Sequence, residues 1–298
     1  MMFGSRIGRA GATARAQSSA ASKRCCIIVA NDKHSERMST SVVQRGSGSS
    51  AAVNMGFLRL AARRARKLSS PANVIVCAQE IDRRSWEGPF WFTRPANRFV
   101  SELGTPTSLP MAAAVLSVAI KDPSCPIAIL PTDFWVAREC VLTEAIEKAF
   151  RQLQVMPESV ATLGMIDSHQ ENQEDYLVVG PHHAQKGSAI QARINRPERG
   201  LANQLIREGA MVASGILLGY AQAFAARINK YWPHLAQELI PAVKIDCLAD
   251  VERKFSAFAY RRIPRLAMNS AQLSPPTFPA RAFPVRGSGW CSRQFAGT

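Results

Sequence analysis

The chain has 298 residues, 47% of them apolar and 20% charged, a balance that supports a sizeable buried core and excludes a mostly disordered protein. Its longest nearly uninterrupted apolar run, residues 109–120, falls short of the ~20 residues of a bilayer-crossing helix. The net charge of +15 is unevenly spread. Residues 1–24 hold five Lys and Arg and residues 253–298 hold eight, with no acid in either stretch, whereas residues 25–252 set 24 basic against 22 acidic side chains. A domain that tracks phosphates carries its excess on the folded body, so this distribution argues against a specific nucleic-acid partner. Seven cysteines without a C-x-x-C pair suit neither a disulfide scaffold nor a structural zinc site, and they point to a reducing, cytoplasmic setting.

Residues 1–24 suit a disordered basic leader, a transit-like segment or an upstream start. Residues 26–30 read as a buried strand, followed by a polar loop to about Ser50 and a helix to about Leu68. Strands are expected at 73–77 and 98–102, then a small-residue helix at 108–121 stopped by Asp122 and Pro123. A strand at 126–130 precedes a helix at 139–154 whose Val141, Leu142, Ile146, Ala149 and Phe150 share one face. This alternation predicts an α/β fold, a Rossmann-like and mostly parallel sheet flanked by helices. Later strands at 160–165, 176–179 and 190–194, a helix at 198–208, an apolar segment at 211–218 and a helix to Lys230 read as a small β extension. The main domain is therefore expected over 25–269, with 270–298 as a Pro/Gly-rich basic C-terminal segment.

In an open parallel sheet, ligands bind beyond the carboxyl ends of the strands. Asp133 ends a strongly apolar strand. There a carboxylate can hold a divalent cation against phosphates or simply cap a turn. Lys33 and Arg37 follow the first strand and could neutralise a phosphate, but the loop lacks the glycines of a phosphate cradle. Asp32 and Glu36 oppose them, so a solvated loop is the plainer reading. Arg196 follows a later strand, suited to a phosphate oxygen pair or to ordinary surface. Arg59, Arg63, Arg64, Arg66 and Lys67 read as the solvated face of a helix whose Phe57, Leu60, Ala61 and Leu68 turn inward.

Several short segments line up in a familiar order. Residues 102–110 (E-L-G-T-P-T-S-L-P), 127–134 (I-A-I-L-P-T-D-F), 161–165 (A-T-L-G-M), 175–177 (D-Y-L), 194–197 (I-N-R-P), 209–215 (G-A-M-V-A-S-G) and 285–290 (V-R-G-S-G-W) occur in sequence. In this the chain resembles the sugar-phosphate nucleotidyltransferases, most closely the mannose-1-phosphate guanylyltransferase group. The resemblance implies transfer of a nucleotidyl group, GMP from GTP, to a sugar 1-phosphate, mannose 1-phosphate, with release of pyrophosphate and help from Mg²⁺. Carried over, Asp133 is the metal ligand and, with Arg196, the catalytic pair. Ala30, Asn31, Lys33, Arg37, Thr107 and Ser108 fall on the nucleotide side, and Tyr176, Asn195, Ser214 and Gly215 on the sugar side.

The chain also departs from that pattern. Residues 29–36 (V-A-N-D-K-H-S-E) replace the family's glycine loop, and Val43 stands at its lysine position. Pro106 and Thr107 replace an Arg and an Asn of the base loop. Asn195 replaces an acid, Ala213 an asparagine, and the second metal aspartate falls on Ser292. Charge-neutralising groups contribute strongly to such transfers. Two readings therefore stand side by side: an active transferase, and a relative that binds a nucleotide or a partner without turnover.

Overall fold

In the first strand, β1 (Cys25–Val29), successive side chains take opposite faces. Cys26 and Ile28 join one buried cluster while Cys25 and Ile27 join another. The second strand, β2 (Val74–Gln79), repeats this, with Val74, Val76 and Ala78 on the first side and Ile75 and Cys77 on the second. Strands apolar on both faces need helices on both, which is the physical basis of a three-layer α/β/α arrangement.

The computed structural model describes residues 23–30, 49–102, 105, 108–166, 174–181, 187–246, 250–255 and 280–292. One face is covered by α1 (Ser49–Leu68), through Leu58, Ala61, Ala62, Ala65 and Leu68, and by the short α2 (Arg83–Trp86) with buried Trp86. The other is covered by α3 (Ser108–Lys121), whose residues 108–117 are all buried. Its alanines allow close approach to the sheet, and Pro110 sits in the first turn, where no intrahelical donor is needed. Asp122 ends it by accepting from the backbone N and Oγ of Ser124, at 2.9 and 2.6 Å.

The carboxyl half adds the rest. After β3 (Arg98–Ser101), β4 (Pro126–Pro131) and the short β5 (Phe134–Val136), α4 (Glu139–Leu153) returns to the first face on Leu142, Ile146, Ala149, Phe150 and Leu153. Then come β6 (Val160–Met165), β7 (Tyr176–Val179), β8 (Ser188–Ile194), α5 (Arg199–Arg207), β9 (Met211–Tyr220), α6 (Ala221–Tyr231), α7 (Pro233–Asp246), β10 (Arg253–Phe255), β11 (Ala280–Val285) and β12 (Trp290–Ser292). The ten-stranded sheet has the order β10-β3-β2-β1-β4-β9-β6-β11-β8-β7, and β12 pairs with β5 in a separate ribbon. Eight of the ten strands share one direction, with β8 and β9 opposed. The expected α/β architecture with a mostly parallel sheet is what forms.

Three expectations need correction. Arg24, assigned to the leader, is 3% exposed; it pairs with Glu147 at 2.7 and 3.0 Å and stacks on Phe150 at 4.1 Å, so the folded body includes it. The segment beyond 270 contributes β11, which lies between β6 and β8 inside the sheet, so residues 280–292 are part of the domain. Arg64 is not on a solvated helix face: at 5% exposure it is enclosed by the groups described below. No helix among the described residues is long and apolar enough to cross a membrane.

Candidate functional site

The carboxyl ends of β1 and β4 are adjacent, because Val29 pairs with Pro131. Ala30 is buried there and its N–H donates to the Cys77 carbonyl at 2.8 Å. The Thr132 hydroxyl donates to the Val29 carbonyl at 3.4 Å. Asp133 follows, half-buried, on the turn that joins β4 to β5. That turn is held from below by Arg64 of α1. Its guanidinium donates to the Glu139 carboxylate from Nε at 3.0 Å and Nη2 at 2.6 Å, and from Nη1 to the Phe134 carbonyl at 3.2 Å. It also lies 4.2 Å from the Phe134 ring centroid. A forked, always-charged donor on a carboxylate and a neighbouring carbonyl fixes position as well as charge. Composition around residue 64 hides this, because four neighbouring cations make Arg64 look like one more surface charge.

The β12 strand brings Ser292 into register with Phe134. Position 292, which the resemblance equates with a second metal-binding aspartate, therefore adjoins the Asp133 turn in the backbone ladder, with serine in place of the acid.

The second wall is built by an irregularity in β9. Thr162 pairs with Leu217 and Gly164 with Ala213, so residues 214–216 of β9 stand against Leu163 alone. One way to accommodate the extra residues is a glycine of positive φ, and the loosened backbone needs partners. Gly215 supplies the first at φ +75°. Hydroxyls supply the second. Ser214 Oγ donates to the Leu163 carbonyl at 2.8 Å and accepts from Ile216 N at 3.1 Å, while Thr162 Oγ1 donates to the Ile216 carbonyl at 2.9 Å. Along β9, the residues paired with β4 run from 220 back to 217 and those paired with β7 are 212 and 211. The bulge thus lies between the end of β4 and the start of β7.

Asp175 sits just before β7 and ties three pieces together. Its carbonyl accepts from Ala213 N at 2.8 Å. One carboxylate oxygen accepts from Arg193 Nε at 3.2 Å and Nη2 at 2.5 Å, and the other from the backbone N of Arg196 at 3.2 Å. Arg196 is held at φ +41°, a left-handed conformation costing an arginine on the order of 1 kcal/mol. Its side chain and that of Asn195 are exposed. Tyr176, grouped by sequence with the sugar side, has no exposed surface and packs in the core cluster of α1 and α4. Register thus sets Ser214 and Gly215 on β9 between the residues paired with β4, the strand that precedes Asp133, and Ala213, to which the Asp175–Arg196 segment is tied. The sequence reading notes Asp175 only within the 175–177 segment and gives Arg193 no role; an acid directly before a strand gives no local sign of what it binds.

A separate group lies at the ends of β2 and β3. Gln79, Ser101, Thr105 and Ser108 are all buried. Ser101 Oγ donates to the Ala78 carbonyl at 3.3 Å. Among the described residues, Gln79 Oε1 and Thr105 Oγ1 have no hydrogen-bond partner. Buried polar atoms are nearly always satisfied, so these two, one closing β2 and one four residues past β3, are open to a further donor or acceptor. A polar residue closing an apolar strand, the signal that picked out Asp133, also applies to Gln79. Asn31, Lys33, Arg37 and Thr107 lie outside the described residues.

No protein-family model and no curated protein matches the sequence. Solved structures do match the fold. A mannose-1-phosphate geranyltransferase from Thermus thermophilus superposes with a TM-score of 0.61 at 15% identity, over 90% of this chain and 76% of that one. A mannose-6-phosphate isomerase from Helicobacter pylori gives 0.64 at 12% identity, over 90% of this chain and all of the other. The two names differ in activity, so the likeness is one of architecture. The chain shares the α/β architecture of these two structures over nine-tenths of its length.

Proposed function

We propose that this chain transfers a nucleotidyl group from a nucleoside triphosphate to a sugar 1-phosphate, with GTP and mannose 1-phosphate as the pair. The observation that supports the reading is the register along β9, whose bulge lies between the residues paired with β4, the strand that Asp133 follows, and Ala213, which bonds the Asp175 that holds the Arg196 backbone. In this reaction a sugar-phosphate oxygen attacks the α-phosphorus and pyrophosphate leaves. The protein's part is positioning and charge neutralisation.

The chain's own groups divide that work. Arg196 meets the sugar phosphate, on a backbone that Asp175 holds in place. Ser214 and Gly215 shape the sugar's side of the crevice, and Gln79 and Thr105 offer unpaired polar atoms to the base. Among the described residues no group of three or more His, Cys, Asp or Glu could hold a metal ion. A magnesium ion carried on the triphosphate nevertheless fits this donor set, because Mg²⁺ needs only one or two protein carboxylates besides phosphate oxygens. Asp133 would hold it, and the ion would supply neutralisation of phosphate charge.

Pyrophosphate release by purified protein, measured across nucleoside triphosphates and sugar 1-phosphates with Mg²⁺, tests the reading. Release with GTP and mannose 1-phosphate, lost in Asp133→Ala, supports it; no release with any pair overturns it. The serine at 292 favours a second reading, a nucleotide binder without turnover. That one predicts a rise in melting temperature with nucleotide and no pyrophosphate.

A further inference from the structure

The near-neutral net charge of residues 25–252 conceals a local imbalance on the outer side of α1. Arg59, Arg63, Arg66 and Lys67 fall at i, i+4, i+7 and i+8, all exposed, so they share one face over about 12 Å of helix. Helix α1 contains no acidic residue. Among the described residues none of these four cations has an acidic partner, and the nearby Glu87 is already engaged by Arg83 and Arg98 at 3.6 and 3.3 Å. Opposite them, residues 88–92 close an open groove of about 490 Å³. Trp91 on that wall is 72% exposed and stands edge-on to Phe92, over whose ring Arg66 lies at 5.4 Å. A tryptophan this exposed is unusual unless its face is used. Buried Arg64 reaches the Phe134 carbonyl from the inner side of this helix, whereas the four cations lie on its exposed side.

We propose that this groove binds a single-stranded nucleic acid, its phosphates tracking the four cations and a base stacking on Trp91. Cations in a row with an aromatic platform beside them are what sequence-tolerant single-strand binding requires. An exposed ring beside a row of cations favours a ligand that carries unstacked bases along a phosphate chain over a bilayer, or over a duplex whose bases are stacked inside. The inference is independent of the transfer reaction, since it concerns a different face.

The test uses the full chain and fluorescein-labelled 12-nucleotide oligo(U) and oligo(dT), read by anisotropy at several salt concentrations. The basic tails are common to every variant, so differences between variants report the groove. Trp91→Ala is expected to weaken binding at least fivefold. Arg63→Ala with Arg66→Ala is expected to weaken it further and to reduce the salt-dependence slope by about 1.4, the value for two lost phosphate contacts. Removing the same charge from exposed Lys148 and Arg151 of α4 leaves affinity within twofold. Preference for oligo(U) assigns RNA and preference for oligo(dT) assigns DNA. Equal losses in the α4 control, no effect of Trp91→Ala, Trp91-dependent binding of phosphatidylserine vesicles but not of oligonucleotides, or no binding at all would overturn the proposal.

Discussion

Arg64 joins two functions in one side chain: it neutralises Glu139 at the start of α4 and holds the Phe134 carbonyl one residue after Asp133. Removing one partner of a buried pair strands the other, a loss of several kcal/mol in enclosed sites. Glu139 keeps 29% exposure, so Arg64→Met is expected to cost about 2 kcal/mol, read from the midpoint of urea unfolding. The cysteines act oppositely. Burial raises Cys26 to about 12, and also raises Cys25 and Cys77. A thiol that ionises later in the folded state stabilises it below its unfolded pKa, and that contribution disappears as pH climbs through the folded value. Stability is therefore expected to fall between about pH 9 and pH 12, and chemical denaturation across that range would show it. Ser292 gives a test in the direction of gain. Ser292→Asp is expected to lower the Mg²⁺ concentration needed for half-maximal pyrophosphate release, and an unchanged requirement would separate position 292 from the cation. Of these residues, only Ser292 and the cysteines were legible in the sequence. Arg64 was not, because its partners are 70 and 75 positions away.

At the level of elements, the strands at 160–165 and 176–179 and the helix at 108–121 form where periodicity and punctuation put them. Their signals are local: β-branched or apolar runs, a proline in the first turn, an Asp-Pro stop. Elements that the sequence left unassigned depend on distant partners or break a local rule. The helix α7 carries Pro241 inside it, a penalty offset by Leu235, Leu239 and Val243 at four-residue spacing against α3 and α6. The strand β11 contains Pro284 and pairs with β6, over a hundred residues earlier. Because β11 separates β6 from β8, a chain ending at residue 279 would bare two strand edges within the sheet. Such a chain is expected to aggregate or to lose cooperative unfolding, whereas one beginning at residue 23 should unfold as sharply as the whole. Calorimetry of both would check this.

At the scale of the whole molecule, the two proposals concern different regions. The Asp133 turn follows the carboxyl end of β4, and the exposed side of α1 carries four cations that have no acidic partner among the described residues, beside Trp91. The fold class could be read from alternation alone, while the β9 bulge and the Asp175 clasp could not, since both arise from register between strands. Binding to the folded state alone raises stability by about 2.7 kcal/mol at a hundredfold excess over Kd, or roughly 5 °C for a domain of this size. The most direct measurement is therefore the melting temperature with GTP, with and without Mg²⁺, in the native chain and in Asp133→Asn. A rise of about 5 °C that needs Mg²⁺ is expected in the native chain, with loss of the Mg²⁺-dependent part in the variant. An equal rise in both proteins, or none that depends on Mg²⁺, would contradict a cation held at Asp133.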